Sequence, residues 1–168
     1  MNVRIATQDD IELVAAAVAA TGQQWSLAAV ADRLADPWIT AISIGDKGQI
    51  DGLMLGNWES AKAARIAALY GPADLKAWLV VQFALGQALA DEAAKRHPKW
   101  NFSQCWVHMT IYPTGCQMSA AKSQIATAHG WTAQTSTSKE GYVTKPDGTY
   151  EIYVLQPNLL ASAAKTVL

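Results

Sequence analysis

A chain of 168 residues has the length of one domain and is long enough to enclose a real core. Half of it is apolar (51%) and only 16% is charged, against roughly a quarter in an ordinary soluble chain. The net charge of −1 leaves no electrostatic footprint for a nucleic acid and no polybasic patch for a membrane surface.

The N-terminal MNVRIATQDDIEL has no apolar run resembling a signal peptide, and no window approaches a membrane span. Cys105 and Cys116 form neither a metal spacing nor a disulfide framework, and two such thiols suit a reducing compartment. The expectation is a soluble cytoplasmic protein. Its sparse charge suggests that a protein partner or a second copy covers part of the surface.

Val3 to Ala6 reads as a short strand. Thr7 follows as a helix N-cap with Asp10 three residues on, and Ile11, Val14, Ala15 and Val18 recur at helical spacing until Gly22. Ser26 caps a second helix with Leu27, Val30, Ala31 and Leu34 on one face, ended by Asp36-Pro37. Trp38 to Ile44 is a strand, Gly45-Asp46-Lys47-Gly48 a hairpin turn, and Gln49 to Trp58 the return strand. In that return strand Gly52 and Gly56 mark bulges or close contacts.

The most informative stretch is Ala63 to Leu89. A strand from Lys62 to Tyr70 breaks at Gly71-Pro72, and Asp74 then caps a helix running to about Arg96, where His97-Pro98 stops it. At about 22 residues that helix is about 33 Å long. Cys105 to Tyr112 is a strand, and Ser119 caps a shorter helix ending at Ala128 before Gly130. Trp131 to Thr137 and Tyr142 to Lys145 are strand-like, Pro146-Asp147-Gly148 is a turn, and Thr149 to Leu155 closes the hairpin. Residues 157–168 have the pattern of a turn or two of amphipathic helix after a single domain over 1–156. The order β-α-α-β-β-β-α-β-α-β-β implies a mixed, mostly antiparallel α/β sheet with helices on both faces.

This order, together with the segment SAAKSQIATAHGW at Ser119 to Trp131, resembles the GNAT acyltransferase fold. In that family a penultimate helix runs from an Asn through a Tyr to a Leu-Gly-Phe ending. Here Ser119 stands at the Asn position and His129-Gly130-Trp131 at the ending. The resemblance implies acyl-CoA, acetyl-CoA in an active enzyme. Its diphosphate is held by an Arg/Gln-x-x-Gly-x-Gly/Ala loop at the N-terminus of the helix after the fourth strand, where free N–H groups favour an anion. Laid without gaps from Pro72, the two glycine positions fall at Trp78 and Val80, and the Tyr that protonates the departing thiolate falls at Ala126. Trp78 fills the space a diphosphate needs, and Ala126 has no proton to give. Glycine-loop-deficient GNAT-like proteins of short-tailed bacteriophages are similar in size, and some belong to the virion.

Two functions follow. One is a non-catalytic binding or structural protein with an eroded acyl-CoA loop, cytoplasmic or assembled into a virion. The other is an N-acyltransferase with an atypical loop. For the enzyme, the resemblance and the strand ends point to Glu59 or His108 as the base, acting through water on an amine. Tyr70 or Tyr112 would serve the leaving thiolate. Leu69 and Tyr70 main chain, with Lys76, would hold the cofactor. Each has a plainer alternative: Glu59 as an exposed acid, His108 as a half-buried strand residue, and the tyrosines as strand-end packing. Cys105 shares a strand face with Val107 and reads as core; His97 and His129 end helices without metal partners. Of seven tryptophans, Trp25, Trp58 and Trp100 lie in or beside loops and are the candidates for interface anchors.

Overall fold

The computed structural model describes residues 1–112 and 140–167, with side chains to Ala161. The expected helix at 119–128, the strand at 131–137, Cys116, Ala126 and His129 lie outside the described residues. Strand β1 (Asn2–Ile5) leads through a 3-10 turn into α1 (Ile11–Ala20), followed by α2 (Leu27–Arg33). Then come β2 (Trp38–Ile44), β3 (Ile50–Ser60), β4 (Ala63–Tyr70) and the long helix α3 (Leu75–Arg96). Strands β5 (Trp106–Ile111), β6 (Gly141–Thr144) and β7 (Tyr150–Leu155) precede a last helix, α4 (Gln156–Val167). The sheet order is β1-β2-β3-β4-β5-β7-β6. All pairs are antiparallel except β4–β5, the pair that the α3 crossover joins.

Strand alternation divides the core between the two faces. Met54, Trp58, Leu85, Leu89, Val107, Ile152 and Val154 belong to the cluster under α3. Leu53, Ile42, Leu69, Val14, Val18 and Val30 form the cluster under α1 and α2. Close approach of α3 needs small residues in the sheet: Ala41, Ala64 and Ala68 are buried there. At Gly52 a Cβ would collide with Val81. Asp74 Oδ1 accepts from Ala77 N–H at 2.8 Å at the start of α3. At the other end Arg96 bonds Glu92, Asp36 and the Trp38 carbonyl, fastening the helix to the start of β2.

The start of α1 is held electrostatically. Arg4 grips both Asp10 oxygens at 2.7 Å, and Thr7 N–H adds a bond of 2.8 Å. The Arg4 bonds, opposed by burial and helped by Thr7, bring the Asp10 pKa down to about 2. A carboxyl lowered by folding stabilises the native state above its unfolded pKa and loses that contribution as pH falls toward the folded one. Asp10→Asn is therefore expected to lose about 1–2 kcal/mol at pH 7, discounted for the partial exposure of Arg4. The gap from wild type should close between about pH 4 and pH 2, read from urea midpoints. A gap independent of pH would contradict this reading.

Past Leu155 the structure departs from the expected one or two turns. Helix α4 covers 12 residues, and its Leu159 packs against the core beneath α3. Trp58, one of the three candidates for an interface anchor, is 4% exposed and donates Nε1–H to Gln156 Oε1 at 3.0 Å. Trp100 stacks on His97 at 3.8 Å, and Trp25 lies 4.4 Å beneath the Arg33 guanidinium.

Candidate functional site

Two places bear on chemistry: the turn from β4 into α3, and the polar face where β4, β5 and β7 run together. In β4 the pairing with β3 steps from Leu53–Tyr70 to Met54–Ala68, so Leu69 is an extra, bulged residue. It is buried in the cluster under α1 and α2. β4 and β5 pair continuously from Ala63–Trp106 to Ala68–Ile111, and Tyr112 N–H adds a bond of 3.3 Å to the Ala68 carbonyl.

The turn itself is occupied by protein groups. The Tyr70 carbonyl accepts from Gln82 Nε2 at 2.8 Å. Trp78, 3% exposed, lies against Gly71 so closely that a Cβ there would meet its ring and the Gln82 amide. Glycine at 71 is thus explained by the tryptophan. The Asp74 carboxylate takes the Ala77 N–H at the helix start, placing negative charge at the end of the dipole where an anion would otherwise be favoured. Lys76 is exposed on the first turn of α3.

The polar face gathers most of the other expected residues. Glu59, about half exposed, occupies the irregular step between Trp58 and Ser60 and pairs with Arg65 Nε at 3.1 Å. Arg65 stands opposite His108 in the β4–β5 register, and Tyr153 opposes His108 on the other side. His108 Nε2 is buried without a hydrogen bond, 3.7 Å from Glu151 Oε1. That oxygen is engaged by Lys145 Nζ at 2.6 Å. The Glu151 bond, with smaller contributions from Asp147 and Tyr112, raises the Lys145 pKa. His108, Tyr112 and Leu69 line one open cleft of about 260 Å³ with Arg65, Thr110 and Trp38. Glu59 pairs with Arg65 on its wall; among the described residues that line it, Glu59, Tyr70 and Lys76 do not appear.

Cys105 is fully buried, and burial pushes its thiol up to about 11. It remains a protonated core residue at neutral pH, as its strand face suggested. Among the described residues no group of three or more His, Cys, Asp or Glu side chains could hold a metal ion, and no helix is long and apolar enough to cross a membrane. Sequence reasoning missed Gln82, Glu151 and Lys145. Gln82 carried a signal, one polar residue within the apolar run WLVVQFAL, four positions after Trp78. Glu151 and Lys145 carried none, because their closeness to His108 depends on strand register.

No protein-family model and no curated protein matches the sequence. Solved structures do match. An N-acetyltransferase from Staphylococcus aureus Mu50 superposes with a TM-score of 0.56 at 9% identity, over 93% of this chain and 97% of that one. Ard1 from Thermoplasma volcanium gives 0.50 at 14%, over 92% and 96%. A GCN5-related N-acetyltransferase from Sphaerobacter thermophilus gives 0.51 at 15%, over 78% of this chain and 43% of that one. The fold is GNAT-like, with a mostly antiparallel sheet of seven strands among the described residues. At these identities the likeness extends to architecture and not to activity.

Proposed function

We propose that this chain is a GNAT-fold protein that does not load acyl-CoA and serves as a non-catalytic binding part, in complex with a protein partner or a second copy of itself. The observation that carries this reading is the turn from β4 into α3. A diphosphate there would have to displace Asp74 from the Ala77 amide and move a buried Trp78. Each of these displacements works against binding, and Lys76 offers one charge without a cradle of amides. The low charge content supports the partner half of the proposal.

The competing reading, an acyl-CoA-dependent N-acetyltransferase, draws on the His108–Glu151–Lys145 cluster and the cleft beside it. His108 lines that cleft and is the group that would take a proton from an amine, directly or through one water.

Thermal denaturation with acetyl-CoA separates the two. Ligand at 100 times its dissociation constant stabilises a protein by about 2.7 kcal/mol, a shift of several degrees for a domain of this size. The proposal predicts no shift at millimolar acetyl-CoA, and light scattering of the protein with its native extract should show self-association or a heavier complex. A saturable shift would overturn the first half, and a strict monomer without a partner the second.

A further inference from the structure

The face of the sheet beneath α3 holds a cavity of about 70 Å³, walled by Met54, Trp58, Trp78, Gly86, Val107 and Leu159 among others. Its walls are almost wholly apolar, yet Gln82 forms part of them. Gln82 is 6% exposed, and its Oε1 is buried with no hydrogen-bond partner. The amide orientation follows from the network: Nε2 donates to the Tyr70 carbonyl, and a flip would set two carbonyl oxygens together. The unpartnered atom is therefore an acceptor. The second polar group on the wall, Gln156, already has its Oε1 taken by Trp58 Nε1–H.

We propose that this cavity is a binding site for a small neutral aliphatic alcohol, or the hydroxyl end of a longer one, with its O–H donated to Gln82 Oε1 and its alkyl body against the tryptophans. A buried water needs two to four polar partners, and this cavity offers little beyond one acceptor. An alkyl alcohol satisfies that acceptor and fills the apolar remainder as well. An ammonium ion would lose its hydration with no carboxylate on the wall to replace it, and a carboxylate would bring an acceptor to an acceptor. A cavity of about 150 Å³ accepts benzene with its six non-hydrogen atoms, so this one of about 70 Å³ takes about three, the size of ethanol. The site lies along α3, under the sheet-facing side of the helix, and goes beyond the function proposed above.

The test is a titration of the protein with ethanol and with chloroethane, a chain of equal length without a donor, followed by the indole N–H resonances in a proton–nitrogen spectrum. Trp58 and Trp78 should shift saturably, and Trp25 and Trp38, on the other face, should not. Gln82→Met should lower the ratio of ethanol to chloroethane affinity about fivefold, the effect of one hydrogen bond. Gly86→Leu should abolish both responses by filling the space, since a Cβ at Gly86 finds only Met54 Sδ at 3.8 Å. Absence of a saturable shift, survival of the shifts in Gly86→Leu, or an affinity ratio unchanged in Gln82→Met would each overturn the proposal. Should Gln82→Met fail to fold for want of a donor to Tyr70, the Gly86→Leu arm decides the site alone.

Discussion

Trp58→Ala is expected to destabilise the fold by about 3–5 kcal/mol, the range for removing a buried tryptophan, read as a lowered urea midpoint. Trp58 is 4% exposed and joins three parts of the structure. Its strand β3 opposes β4 at Ala64, its ring occupies the space beside Gly56, and its N–H holds Gln156 at the start of α4. Alanine removes the ring and leaves the Gln156 carbonyl oxygen without its donor. Trp58→Phe keeps most of the volume and loses only the hydrogen bond, so about 1–2 kcal/mol is expected for it. A loss below 1 kcal/mol for the alanine variant would show that α4 and the sheet are not tied together at this residue.

Gly52→Ala is expected to lose about 2 kcal/mol, because the new Cβ would collide with Val81 Cγ1 and stand 3.2 Å from Leu85 Cδ1. Val81 is β-branched and nearly fixed in its helix rotamer, so the clash is relieved only by moving α3 off the sheet. Reduced freedom of the unfolded chain offsets part of this, about 0.4–1 kcal/mol. Gly86→Ala is the control. It adds the same methyl group on α3 where space is open, and helix propensity should stabilise it by up to about 1 kcal/mol. Equal effects of the two substitutions, in chemical denaturation, would contradict the packing described for α3.

The fold was legible in the sequence wherever local chemistry decides the element. Trp38–Ile44 is a strand over the expected residues, Asp74 caps α3, and Arg96 is its last residue. Ser26 accepts from Ala29 N–H as an N-cap should. What escaped depends on groups distant in the chain. Trp58 sits near a turn and looks exposed until Gln156, 98 residues on, is brought to its ring nitrogen. The row Glu59–Arg65 and His108–Glu151–Lys145 exists only through pairings among β3, β4, β5, β6 and β7, which no single segment encodes. The bulk of Trp78 in place of a glycine was visible, but its partnership with Gly71 and Gln82 was not, because it arises where the strand end folds back on the helix.

The turn between β4 and α3 is closed by its own side chains, and the backbone amides of Leu75, Lys76 and Ala77 report on it directly. Their resonances are to be followed while coenzyme A is added to millimolar concentration. All three are expected to stay in place, with Asp74 retaining the Ala77 N–H. Saturable shifts at these three amides, reproduced by inorganic pyrophosphate, would contradict that closure.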